Sequence, residues 1–399
     1  MGRRTHGRQG VNGMARQHLP KRDRPIGQVP QGFDSAAAAR TAIKLCSELG
    51  FALAAIAPAH PSALCEHLTA WLASGKHGEM EYMALDQAIR ADPTGILAGT
   101  RAFIVVADQY ATRNDPPDAP AFGTGRIARY ARGKNYHDVV KRRLHRVADA
   151  LRDQYPFAEF RSCVDTAPVM ERELAVLAGL GWQGKNTMLI HPRLGSYLLL
   201  GVIATTLPLP PTLVRPDDRV PDSCGTCTRC IDACPTRAIT PYSVDGSRCI
   251  SYLTIEQRSI PPALFFPNSA SHDWLAGCDI CQEVCPHNSP RAAESTHVGT
   301  PHAEYAPARS GFSLTDVMAW GEEQRRAALH NSALKRITLA MFKRNAVHAA
   351  AHWLNSQPHH PHAAALRARI ERLAKDEAEP EPLRHLARNV LARPGSPSR

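Results

Sequence analysis

Apolar and polar positions follow two different rhythms along this chain, and the change between them divides it. Over residues 35–209, helical and strand spacing take turns. SAAAARTAIKLCSELG (residues 35–50) has helical spacing behind a serine and stops on glycine, which predicts a capped helix. FALAAIAPA reads as a short strand, and PSALCEHLTAWLASGKHGEMEYM as a helix ending near Gly75. RAFIVVADQY (residues 101–110) is an unbroken apolar run and predicts a buried strand. HDVVKRRLHRVADALRDQY returns to helical spacing in a basic setting. EFRSCVDTAPV predicts a strand and then a turn, and ERELAVLAGLG a helix stopped by glycine. TMLIHPRLGSYLLLGVIATTL predicts two strands joined as a hairpin around Leu194 and Gly195. This alternation predicts an α/β or α+β domain.

Residues 220–288 lose that rhythm and gain cysteines. From about Phe312 the pattern is helical throughout, in SLTDVMAWGEEQRRAALHNSALKRITLAMFKRNAVHAAAHWLN and HAAALRARIERLAKDEAEPEPLRHLARNVLAR. These runs resemble helix pairs of the HEAT type, and a plain helical bundle fits the same pattern. The boundaries expected are a disordered basic arm over 1–33, an α/β (α+β) domain over 34–215 and a cysteine-rich module over 216–292. An all-α HEAT-like domain over 293–394 and a disordered tail over 395–399 complete the chain.

Composition narrows the class. A chain of 399 residues with 43% hydrophobic content can bury a substantial core. No apolar run approaches the roughly 20 residues of a bilayer span. The longest candidate, SYLLLGVIATTLPLP, ends in prolines. The stretch before Gly27 holds seven basic residues, one acid and no apolar segment, so it does not read as an export signal. A cytoplasmic location without membrane contact is therefore expected. The net charge of +11 points to an anionic partner, nucleic acid first.

Eleven cysteines without an export signal argue against a disulfide scaffold. Seven fall in two tight groups. SCGTCTRCIDACPT spaces Cys224, Cys227, Cys230 and Cys234 as C-x2-C-x2-C-x3-C-P, and CDICQEVCP holds Cys278, Cys281 and Cys285. Structural zinc sites favour paired CxxC or mixed cysteine and histidine sets. Three cysteines at intervals of three, with a fourth before proline, are the ferredoxin spacing, in which the fourth cysteine serves the other cluster. Two [4Fe–4S] clusters need eight thiolates, and Cys249 between the groups is the natural eighth. Crossing then gives one cluster Cys224, Cys227, Cys230 and Cys285. The other takes Cys234, Cys249, Cys278 and Cys281.

Further stretches carry a resemblance: GEMEYM, RYARGKNYH, VDTAPVMERELAVLAGLGWQGKNTMLI, RCISYLTIE, GCDICQEVCP and SALKRITLAMFKRNA. With the first cysteine group they span most of residues 35–353. In this order the sequence resembles the epoxyqueuosine reductase family, corrinoid- and iron–sulfur-dependent enzymes of tRNA queuosine synthesis related to reductive dehalogenases. The resemblance implies a cobalamin-binding α/β domain, a ferredoxin-like two-cluster module and a helical-repeat domain that docks tRNA. It implies reduction of epoxyqueuosine to queuosine at the wobble position of tRNA by a monomer. An external one-electron reductant feeds two [4Fe–4S] clusters and then cobalamin, while two protons enter and water leaves.

The family's proton donor falls on Asp165 of VDTAP, which the local sequence alone would equally allow as a helix cap. Asn135, Tyr136 and His137 of RGKNYH become candidates for the substrate face. The family usually has DYH there, and Asn135 cannot donate a proton as a carboxyl would. Arg90, Arg129, Asp165, Lys185, Asn186, Thr187, Met188 and Ser196 are the expected cobalamin contacts. GLGWQGKN does not fit a Walker A motif. No D-x-H-x-x-G occurs, so cobalamin is expected base-off, without a protein ligand under cobalt. Lys335, Arg336, Lys343 and Arg344 are expected on tRNA phosphates, with Tyr252 and Trp182 as stacking residues. Two other readings fit parts of the chain: a corrinoid reductive dehalogenase-like enzyme acting on a small molecule, and a ferredoxin-type electron-transfer protein.

Overall fold

The computed structural model describes residues 27–115, 120–213, 215–259, 272–290 and 299–392. Most of the expected basic arm and the whole expected tail lie outside the described residues. The first helix is Ser35–Glu48, and its cap is Asp34 rather than the serine, with Asp34 accepting from the Ala37 N–H at 2.8 Å. Gly50, at φ 81°, closes its other end.

Four strands form the main sheet in the order Leu53–Pro58, Ala102–Gln109, Leu198–Thr205, Phe160–Cys163. Every neighbouring pair is antiparallel, which resolves the domain as α+β. The central strand explains its own unbroken apolar run. Ala102, Ile104 and Val106 pack under the helices Ser35–Glu48 and Tyr136–Gln154, while Phe103, Val105 and Ala107 face the helix Glu171–Leu177. Alternate residues serve opposite faces, so both faces are apolar as far as Ala107. Within this core the Arg143 guanidinium pairs with the Asp108 carboxylate, which also accepts the Tyr305 hydroxyl at 2.6 Å.

The expected hairpin is only half right. His191 and Gly195 exchange backbone hydrogen bonds at 2.9 and 3.0 Å. The two arms then part: Leu189–Ile190 pairs with Trp182–Gln183, and Leu198–Thr205 joins the main sheet. The reason is packing, because Leu198–Thr205 finds long partners on both sides there.

A second sheet crosses the expected boundaries. Thr124–Ile127 of the first segment pairs in parallel with Trp274–Ala276 of the cysteine-rich module and antiparallel with Gly311–Ser313 of the helical segment. One apolar core follows, joining Ile127, Leu275 and Ala276 to the helix Leu339–Ser356 and to the pair Ala363–Lys375 and Glu381–Ala392. Boundaries read from composition therefore do not separate packing units. Among the described residues no helix is long and apolar enough to cross a membrane.

Candidate functional site

Short turns present the cysteines. The Cys227 N–H donates to the Cys224 carbonyl at 2.9 Å, and the helix Arg229–Asp232 carries Cys230 past them. That helix packs on Ile280–Glu283, which carries Cys281. Cys224, Cys227, Cys230 and Cys285 line one cavity of about 110 Å³. The other neighbourhood joins Cys249 to Cys234 and Cys278, and Cys281 to Cys249 and Cys234, with Cys281 also near Cys230 where the two neighbourhoods adjoin. Among the described residues no three thiol, imidazole or carboxylate groups converge on a single-ion position. Sulfurs spread around a cavity fit a polynuclear cluster with one thiolate per corner. All eight are free thiols. Burial pushes Cys278 and Cys281 up and takes Cys285 to about 11, so iron binding must displace protons.

The Asp165 carboxylate stands in a half-open cleft. Its backbone is left-handed at φ 53°, and its N–H donates to Glu171 Oε1 at 2.7 Å. The next helix begins only at Glu171, with Met170 before it, so Asp165 caps no helix. His137 Nε2 lies 2.9 Å from Asp165 Oδ2, and the Tyr136 hydroxyl donates to the same carboxylate. Burial opposes ionisation of Asp165, but those hydrogen bonds and the Arg336 charge outweigh it and hold the carboxyl below its usual value. Burial and the neighbouring Asp165 push Glu171 up to about 8.

Asn135 accepts from the His137 N–H and begins the helix Tyr136–Gln154. Its own N–H donates to the Asn331 carbonyl at 2.6 Å, so the helical segment pins the site from behind. A Cβ on Gly133 would meet Tyr305 backbone atoms at 2.6–2.8 Å, which is why the turn before Asn135 carries glycine. Across the cleft, Arg336 pairs with Glu256 at 2.7 Å and lies 5.9 Å from the ring of Tyr82. Tyr82 is 43% exposed. Arg90 lies near Tyr82, and its buried Nε has no hydrogen-bond partner.

Several expected residues stand elsewhere. Lys185 donates to the Gly225 and Cys227 carbonyls at 2.6 and 3.1 Å, and Asn186 to the Cys281 carbonyl at 3.2 Å. Both side chains hold the cysteine loops. The Met188 N–H bonds back to Asn186, and Thr187, at φ 64°, gives its carbonyl to Arg172. Ser196 is buried, bonded to Gln282 and Asn288. Arg129 places its N–H on Asp279 at 2.6 Å and its guanidinium 5.7 Å from the Tyr197 ring.

Lys343 is buried against Glu379. Arg344 is 1% exposed and spends its guanidinium on carbonyls of the cysteine-rich module, so neither faces a phosphate. Lys335 and Arg336 are exposed in a 3-10 turn before the helix capped by Thr338. Trp182 and Tyr252 are buried and offer no stacking face. Sequence reasoning missed Glu171 and Glu256. An acid in the first turn of a helix has an ordinary reason to be there, and nothing local marks Glu256.

Two cysteine neighbourhoods side by side, in a chain that also presents a carboxylate cleft, define an iron–sulfur oxidoreductase. Residues 223–288 match the family described as 4Fe-4S double cluster binding domain. Residues 90–166 match the one described as Epoxyqueuosine reductase QueG, DUF1730. An epoxyqueuosine reductase of Synechococcus sp. (strain RCC307) is 39% identical over 75% of this chain and 89% of its own. That of Burkholderia pseudomallei (strain K96243) is 36% identical over 86% and 90%. The chain belongs to the epoxyqueuosine reductase family. A crystal structure of epoxyqueuosine reductase with a tRNA-Tyr epoxyqueuosine-modified stem loop shares the fold, at TM-score 0.71 and 24% identity over 88% of this chain and 97% of that one.

Proposed function

We propose that this chain reduces epoxyqueuosine to queuosine at the wobble position of tRNA, with cobalamin and two [4Fe–4S] clusters as cofactors. The observation that carries the reading is the Asp165 cleft. A half-open carboxylate is bonded to an imidazole and a phenol, with a cation and an exposed aromatic ring opposite. The cysteine neighbourhoods pass single electrons from an external reductant. A bound cobalamin supplies one-electron cobalt chemistry beside the substrate. The buried, unpartnered Arg90 Nε suits an acceptor such as a corrinoid amide. With no D-x-H-x-x-G stretch, base-off binding is the expected form.

Asp165 hands a proton to the departing epoxide oxygen. Tyr136 and His137 orient that carboxylate and shield one side of it from water. Arg336 and Lys335 hold phosphates at the rim, and Tyr82 stacks on a splayed base. The C-terminal helices act as a HEAT-like dock for the stem, in a monomeric cytoplasmic protein.

Anaerobic reconstitution tests the reading. Iron and corrinoid are measured first, then conversion of an epoxyqueuosine-containing stem loop. Nitrogen hyperfine coupling on Co(II) would reject base-off binding. A protein that takes up iron but no corrinoid, or converts no substrate when loaded with both, defeats the proposal.

A further inference from the structure

Removing an epoxide oxygen as water consumes two electrons and two protons, and both protons end on that one oxygen. A single carboxyl carries one proton, so a donor at that oxygen must be reloaded within each turnover. Asp165 poses a second difficulty, because its surroundings keep it ionised. The proton has to be stored next door.

The geometry shows where. His137 Nε2 lies 2.9 Å from Asp165 Oδ2, and His137 Nδ1 lies 2.9 Å from Asn135 Oδ1. The Asn135 amide cannot be turned round. Its Oδ1 accepts the His137 N–H at 3.3 Å, and its Nδ2 donates to Asp138 Oδ2 at 2.7 Å. An amide oxygen has no proton to give, so His137 Nδ1 must carry one. A second ring proton, taken up from solvent, would lie on the hydrogen bond between Nε2 and Asp165. Tyr136 stacks on the imidazole with centroids 4.0 Å apart, which leaves the ring little freedom to flip.

We propose that His137 is the proton relay that loads Asp165, and that Asn135 is the positioning residue that fixes its tautomer. This rests on Asp165 being the group at the epoxide oxygen. In the first transfer the Nε2 proton moves through Asp165 Oδ2 to the epoxide oxygen as one C–O bond breaks and leaves a hydroxyl. His137 remains neutral with its Nδ1 proton. Solvent restores the Nε2 proton through the ring's exposed side, since the side chain is 29% exposed. The second proton takes the same route, the remaining C–O bond breaks, and water leaves as the C=C bond forms. The two electrons arrive singly from the external one-electron reductant.

The couple is faced by the Tyr136 and Tyr130 phenols, by Glu171 beneath the Asp165 N–H, and by Arg336 and Glu256 across the cleft. Glu171 titrates near pH 8, inside the range of interest. Glu171→Gln removes that titration and keeps the oxygen that accepts the Asp165 N–H, so it is the background for the test.

Single-turnover conversion of an epoxyqueuosine stem loop by the reconstituted holoenzyme is measured against pH. In the Glu171→Gln background the alkaline fall of the rate no longer carries the Glu171 titration. Asn135→Asp places a carboxylate on Nδ1 and moves that fall upward by about one pH unit. His137→Gln lowers the rate about 100-fold or more, with stem-loop affinity unchanged. In 15N-histidine spectra the His137 signal, assigned by its loss in His137→Gln, keeps Nδ1 protonated on both sides of the transition. An unmoved alkaline limb in Asn135→Asp, full speed in His137→Gln, or a neutral tautomer with the proton on Nε2 would each overturn the relay. Full turnover in Asp165→Ala would instead overturn the donor assignment beneath it.

Discussion

Arg344 gives the sharpest test of how charge is used in the C-terminal segment. In sequence it belongs to a basic cluster that reads as a phosphate site. In the fold it is 1% exposed and donates to the carbonyls of Leu253 and Gln257, each at 2.6 Å, and of Ser259 at 2.9 Å. Arg344→Met would leave two buried carbonyls and one part-buried carbonyl without that donor, at roughly 1–3 kcal/mol each. Against this, burial lowers the guanidinium from 12.5 to about 10, a charging cost of roughly 3 kcal/mol that methionine does not carry. The net expectation is a loss of about 3 kcal/mol of stability, within a factor of two. Urea unfolding of the holoprotein, followed by circular dichroism, reads this directly. Stem-loop binding at two salt concentrations is measured alongside. Arg336→Ala should do the reverse, weakening binding and flattening its salt dependence while leaving unfolding within about 0.5 kcal/mol. An Arg344→Met protein that unfolds like the parent yet binds the stem loop poorly would refute the reasoning.

Three other outcomes follow from the same contacts. Cys285→Ala and Cys234→Ala should each halve the iron bound after reconstitution, and each should leave a different cluster spectrum; identical residual spectra would contradict the crossed arrangement. Glu171 binds its proton more tightly folded than unfolded, so it lowers stability increasingly as pH rises from about 4.5 to about 8. Glu171→Gln should therefore melt like the parent near pH 4.5 and above it by a growing margin up to pH 8, in a thermal-shift series. Asp108→Ala strands the buried Arg143 charge and should cost about 3–5 kcal/mol, seen as a large fall in the thermal midpoint.

What the sequence could tell depended on how local each cause was. The cysteine spacing is local, because each turn must place its own thiols, and the four-and-four grouping followed from counting. The central strand was legible because both its faces are covered. The parting of the two arms after Gly195 was not, since it depends on which partner strands lie nearby, and periodicity carries no such information. Lys343 and Arg344 misled for a related reason. A helix turn shows its charges in the sequence but not which of them the rest of the chain will cover. Lys185 and Asn186 were noticed for their glycine-rich setting, yet their partners, the cysteine loops, lie 40 or more residues further on.

The three-stranded sheet constrains the order in which this protein can be made. Thr124–Ile127 leaves the ribosome well before Trp274–Ala276, and Gly311–Ser313 follows later still. Until then its edges have no partners, and the wall behind Cys278 is missing. A nascent chain that has already exposed its first cysteines therefore cannot yet enclose both clusters. A chain terminated before Gly311 should therefore take up less iron on reconstitution than the full chain and aggregate more readily.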